Sequence, residues 1–155
     1  MIRKPRRIRW PANPLAHLSL ITKLRPFDEE EAAKLGVEGR IAWHHLTHGS
    51  GTEAHFDNLA IHLNAALVLS EPIGQDAVDV IAAAHQALDA MQQRYRRQGR
   101  FGANANELAQ VPPALDLYAE LLSFSNPMQL VNALCESRQR IENGDVINKH
   151  EELTA

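Results

Sequence analysis

Five histidines lie within residues 44–62, and imidazole is the commonest metal ligand among protein side chains. His44 and His48 are four residues apart, which puts them on one face of a helix. An antiparallel turn after them would bring His44 or His48 towards His55, and a nearby carboxylate would complete a set that suits zinc. The alternative is structural, because histidines near a helix C-terminus interact favourably with the helix dipole and the sequence has no HExxH motif. The candidate metal ligands are His44, His48, His55 and His62.

Basic residues concentrate in two segments of an otherwise acidic chain. The net charge is −3, and the first nine residues carry +5, which leaves −8 on residues 10–155. Cations beside an aromatic ring suit phosphate neutralisation and base stacking on a nucleic acid. They also suit a solubilising tail, an arm that folds onto the acidic body, or a helix C-terminus whose dipole they complement. The candidate residues for binding a nucleic acid or another partner are Arg3, Lys4, Arg6, Arg7, Arg9 and Trp10, followed by Arg94, Arg96, Arg97 and Arg100.

The motifs that anchor common catalytic mechanisms are missing from the sequence. It contains no glycine-rich phosphate loop, no GxSxG elbow and no CxxC pair. The single cysteine, Cys135, has no partner for an internal disulfide, and on a helix face it reads as a small buried residue. We therefore predict no enzymatic activity, no catalytic residue and no cofactor.

Length and composition predict one all-helical domain. The chain has 155 residues, few aromatic side chains and abundant Ala and Leu, which favour helices. No apolar run is long enough to span a bilayer, so we expect a cytoplasmic protein with no membrane partner. Four prolines interrupt the N-terminus. The predicted organisation is a basic N-terminal arm at 1–26, a bundle of about five helices at 27–144, and a flexible tail at 145–155.

The segment 52–71 is the predicted core helix, because apolar residues surround it on nearly every side. One polar residue inside its apolar run, Asn64, must find a hydrogen-bond partner if it is buried. The helix before it is predicted over 28–47, with a capping box of Asp28 and Glu31, and Gly36 and Gly39 are positions of weakness or close approach.

Three further segments are predicted to form helices. Residues 75–98 carry an alternating three-and-four apolar pattern, and residues 104–124 carry another that the pair Pro112-Pro113 interrupts. We favour two helical pieces over one kinked helix there. Asn126, Pro127 and Gln129 begin the last helix, which extends to about 143. Its expected buried residues are Leu130, Val131, Leu134 and Ile141.

Four short motifs resemble a group of small all-helical proteobacterial proteins carried by phages, plasmids and integrated elements. They are Leu46-Thr47-His48-Gly49, Phe56-Asp57, Leu63-Asn64 and Gly99-Arg100-Phe101, and the similarity extends from Glu31 to Leu122. Proteins of this group are often labelled Fis-like transcriptional regulators, although no helix-turn-helix with a basic recognition helix is evident here. The basic arm and Pro112-Pro113 depart from the group's pattern. The resemblance implies an accessory protein of a mobile element.

Three functions follow from these features. The first is a non-enzymatic accessory protein that binds and modulates a macromolecular partner, such as a host or defence protein. The second is a nucleic-acid-binding regulator that uses the basic arm and the second arginine group. The third is a metal-binding protein built on the histidines. A bundle also offers a helix face for self-association, so a homo-oligomer is compatible with each.

Overall fold

Five helices make up the described part of the chain, and a computed structural model describes residues 23–144. This part contains no β-strand, which confirms the all-helical prediction. Most of the predicted arm and all of the predicted tail lie outside the described residues. The helices are α1 (Glu29–Thr47), α2 (Glu53–Ser70), α3 (Gln75–Gln98), α4 (Ala105–Ser123) and α5 (Pro127–Glu142).

Capping boxes begin four of the five helices. At the start of α1 the Glu31 backbone N–H donates to Asp28 Oδ1 over 2.8 Å, and the Asp28 N–H donates to Glu31 Oε2 over 3.0 Å. Such reciprocal bonds satisfy backbone donors that have no partner within the helix. The predicted caps of α1 and α5 are confirmed, and Thr52 and Asn104 cap α2 and α4 in the same way.

Helix α2 contacts each of the other four helices, which confirms it as the centre of the bundle. Leu59, Leu63, Ala65 and Ala66 are completely buried on it. Burying one leucine side chain contributes about 2 kcal/mol, so this surface is a principal source of stability. The expectation that a helix this apolar is buried on nearly every side is wrong at Ile61, whose side chain is half exposed because none of the other described helices covers that position.

Helix α1 packs closely against α4 because it has glycine where the two helices meet. A Cβ atom at Gly39 would lie 3.1 Å from Cδ2 of Leu115, which is itself buried. The expected close approach is therefore confirmed. Arg40 and Asp116 form an ion pair between the same two helices.

One continuous helix contains Pro112 and Pro113, so the prediction of two helical pieces is wrong. Each proline removes one backbone N–H, which leaves the carbonyls of Leu108 and Ala109 without their usual helical partners. Both of those residues are exposed, so the missing bonds lie on the solvent side of the helix. The buried face continues on both sides of the prolines, and this packing holds the helix together. It is formed by Glu107, Val111, Ala114, Leu115, Tyr118, Leu121 and Leu122.

The predicted buried face of α5 is partly wrong. Leu130 and Ala133 are buried, but Val131 and Ile141 are about half exposed. The reason is tertiary: α5 packs mainly against α2, and one neighbour covers only a narrow stripe of a helix.

Asn64 finds its partner on α3. His85 Nε2 lies 2.9 Å from Asn64 Oδ1, and the ring nitrogen donates to that oxygen in the Nε2–H tautomer of the imidazole. Burial lowers the pKa of His85 to about 4, and the nearby carbonyl of Ile81 opposes only part of this effect. The pair therefore links α2 to α3 with an uncharged histidine.

His85 should make the folded state sensitive to acid. Its pKa is about 4 in the folded state and about 6.5 when unfolded, so the unfolded chain binds the extra proton between these values. Stability from this group is complete above pH 6.5 and is lost as the pH falls towards 4, by up to about 3 kcal/mol. Urea unfolding from pH 7.5 to 4 should show a shallower decline for His85→Gln, whose amide still reaches Asn64. His44→Gln, at an exposed position, should follow the wild type. Equal slopes for His85→Gln and the wild type would contradict this assignment.

Candidate functional site

The arginine-rich end of α3 lies against the start of α2. Tyr95 donates its hydroxyl proton to Glu53 Oε1 over 3.1 Å, and this bond raises the pKa of Tyr95. The ring of Phe101 stacks on Tyr95 with a centroid distance of 4.0 Å, and on Phe56 with 5.6 Å. The turn between α1 and α2 and the loop between α3 and α4 therefore meet at one end of the bundle. We call residues 44–55 and 94–107 together the polar end.

The histidines at the polar end form two stacked pairs. The rings of His44 and His48 lie 3.9 Å apart, and those of His45 and His55 lie 4.3 Å apart. The residue that approaches His55 is thus His45, and not His44 or His48 as the sequence suggested. His62 lies elsewhere, buried against the ring of Tyr118. The four candidate metal ligands are therefore divided among three places.

His55 has a structural role at the start of α2. Its Nδ1 accepts the Thr52 backbone N–H over 3.2 Å, in the position that glutamate or glutamine usually fills in a capping box. Among residues 23–144, no group of three or more His, Cys, Asp or Glu side chains is placed to hold a metal ion.

Arg94 is held inside the polar end by a buried carboxylate. Its Nη2 donates to Glu107 Oε2 over 2.5 Å and to the Gly102 carbonyl over 2.6 Å. The side chain of Glu107 is 1% exposed, and the hydrogen bond to it raises the pKa of Arg94. The same carboxylate accepts the Asn104 N–H in the capping box of α4. Arg94 therefore joins the end of α3 to the start of α4.

Sequence reasoning missed Glu107 as part of the candidate site. The spacing of Asn104 and Glu107 is that of a capping box, and this signal could have identified Glu107. No short-range sequence pattern indicated that Arg94 lies beside it. Arg94 also differs from the other three members of its sequence cluster. Arg96, Arg97 and Arg100 are exposed, and none forms a salt bridge within the described residues. The candidate residues of the arm, from Arg3 to Trp10, lie outside the described residues.

A polar groove of about 570 Å³ separates the two connecting segments. Among residues 23–144, its only charged lining residues are Arg94 and Arg100, and no carboxylate of this part of the chain lines it. Gly51 allows the turn to lie close to α1, because a Cβ atom there would come within 2.8 Å of the Leu46 Cα. The remaining lining residues are Thr47, Gly49, Gln98, Gly99, Phe101, Gly102, Ala103 and Asn104.

No family model, curated protein or solved structure matches the chain. Within residues 23–144, every helix is too short or too polar to cross a membrane.

Glu107→Ala should lower the free energy of unfolding by about 3 kcal/mol, because it leaves the partly buried Arg94 without its counter-charge. Glu107→Gln should cost less, since its amide oxygen still accepts from Arg94 and Asn104. The control is Glu142→Ala, which removes an exposed pair with Arg138 and should cost under about 0.5 kcal/mol. Chemical denaturation of the three variants measures these differences. Equal losses for Glu107→Ala and Glu142→Ala would show that the pair is not a structural link.

Proposed function

We propose that this chain is a non-enzymatic accessory protein that binds nucleic acid through the polar end. The observation that carries the proposal is the exposure of Arg96, Arg97 and Arg100 at one end of the bundle, without a carboxylate partner among residues 23–144. Nucleic acids are the polyanions that such clusters neutralise, and each phosphate contact releases bound counterions. The basic arm would add further phosphate contacts.

The charge distribution supports this choice. Residues 10–155 carry a net charge of −8, so most of the body repels a polyanion. The three arginines form a local group that attracts one. Cations at the end of α3 also complement the helix dipole, but that role needs no cluster of three. A binding surface at one end would let the acidic body point away from the nucleic acid.

The motifs that carry the resemblance to mobile-element proteins also support the polar end as the binding surface. Leu46-Thr47-His48-Gly49 contributes Thr47 and Gly49 to the groove, and Gly99-Arg100-Phe101 forms part of its opposite wall. The ring of Phe56, from a third motif, stacks on Phe101. Motifs about 50 residues apart in sequence thus meet at the proposed binding surface.

Fluorescence anisotropy with labelled duplex DNA, single-stranded DNA and RNA tests this proposal. Replacing Arg96, Arg97 and Arg100 with glutamine should weaken binding, and the slope of log affinity against log salt should flatten by about 2 to 3. The matched control replaces Lys23, Lys34 and Arg138 with glutamine, which gives the same change in net charge away from the polar end. A chain that starts at Pro11 measures the contribution of the arm. Equal binding by the two triple variants would refute the polar end as the surface, and no binding by the intact chain would refute the function.

A protein partner is the second candidate function, and Phe124 favours it. This side chain is 76% exposed, and Leu24, which is 54% exposed, belongs to the segment that hydrogen-bonds to Ser125 and Asn126. Phe124 follows the C-terminus of α4, so it lies about 28 Å along that helix from the polar end. An apolar patch there would suit a host or defence protein that the accessory protein modulates.

Affinity purification from the expressing host tests the second candidate. A specific partner should be retained by the intact chain, lost on Phe124→Ser, and kept on Ile61→Ser, which removes another exposed apolar side chain from α2. A partner that binds both variants equally would count against the Phe124 patch.

A further inference from the structure

The guanidinium group of Arg94 has N–H donors that no acceptor among residues 23–144 engages. Arginine carries five N–H groups, and the bonds to Glu107 and Gly102 both come from Nη2. Nε and Nη1 have no acceptor among residues 23–144, although Arg94 lines the groove. The carboxylate behind the group holds it in place, so its remaining N–H donors have a fixed direction. Such a held guanidinium loses little side-chain entropy when it binds a ligand.

The groove has the electrostatics of an anion site. The two charged lining residues within the described part of the chain are both arginines, whereas the net charge of the chain is negative. Glu107 cancels the charge of Arg94 but does not line the groove, so Arg94 contributes directed donors and Arg100 contributes the net positive charge. The polar residues Gln98, Asn104 and Thr47 also line the groove.

We propose that this groove binds a phosphate group. Arg94 and Arg100 would bind the phosphate oxygens, and Glu107 would act as a positioning residue that keeps Arg94 in the correct orientation. Phosphate is favoured over a carboxylate because its larger charge and three or more oxygens engage two separate guanidinium groups at once. The volume of about 570 Å³ also leaves room for the sugar that a phosphate carries. The inference rests on the proposed function, since it gives one nucleic-acid phosphate a defined place.

Titration of the full chain with inorganic phosphate, followed by NMR, tests the site directly. Sodium chloride at matched ionic strength is the reference. The expected result is a saturable shift of the backbone amides of Gly99 and Gly102 and of the Arg94 Nε–H signal. No saturable shift at these positions, or the same shift with chloride, would overturn the proposal.

Two variants assign the roles within the site. Arg100→Gln should weaken phosphate binding by about tenfold or more, because it removes a charge-assisted hydrogen bond at an exposed position where folding is not affected. Glu107→Gln should weaken it as well and should broaden or move the Arg94 Nε–H signal before any ligand is added. Arg138→Gln is the charge-matched control on α5. Unchanged affinity in Arg100→Gln would overturn the assignment even if Glu107→Gln fails to fold.

Oligonucleotides of one sequence, with and without a 5′-phosphate, identify the source of the phosphate. Preference for the phosphorylated strand indicates a strand end, equal binding that moves the groove signals indicates the backbone, and a response to inorganic phosphate alone indicates a free metabolite. This design separates the two proposals. Nucleic-acid binding that leaves the groove signals unmoved would overturn the groove alone, whereas phosphate binding without nucleic-acid binding would overturn the proposed function alone.

Discussion

The burial of α2 is the constraint on which the rest of the fold depends. A helix that is apolar on nearly every side is stable in water only when other helices cover it, and here the four remaining helices share that task. Helices α1 and α4 approach each other closely at Gly39, so they pack together as well as against α2. Helix α5 packs mainly on α2, and its outer side is accordingly more exposed.

The packing of the other helices around α2 also determines which segments meet at the polar end. The turn after α1 and the loop after α3 are brought together there because both flank the start of α2. The aromatic stack of Phe56, Phe101 and Tyr95 continues the core into this region. Arg94 and Glu107 then form a charged link at its edge, and the other arginines of α3 remain in solvent. The need to bury α2 thus places Arg94 in an ion pair with Glu107. It leaves Arg96, Arg97 and Arg100 exposed.

Local signals predicted most of the fold. Capping boxes at Asp28 and Asn126, and apolar periodicity between them, depend on residues only three or four apart, so the sequence contains all that is needed to recognise them. Pro112-Pro113 was misread because the local cost of proline is outweighed by burial on both sides of it. The exposure of Val131 depends on which neighbours α5 has.

The candidate site was harder to predict because it, too, depends on which elements become neighbours in the fold. The arginines of α3 and the histidines after α1 were identified from the sequence, but their shared location was not. The partners of His55 and Arg94 are His45 and Glu107. The first pairing depends on how two helices turn, and the second on how a loop folds back. The groove and its two arginines cannot be predicted from residue spacing, because its walls are about 50 residues apart in the chain.

The central position of α2 has a consequence for biosynthesis. A ribosome releases residues 53–70 well before it has made α4, which supplies part of their cover. About 50 residues separate the end of α2 from the end of α4, and at the usual rates of translation they take roughly 3 to 10 seconds to synthesise. During that interval the most apolar helix of the nascent chain has only α1, and then α3, to pack against. The apolar surface of α2 that α4 covers in the folded chain is therefore still exposed when α2 leaves the ribosome.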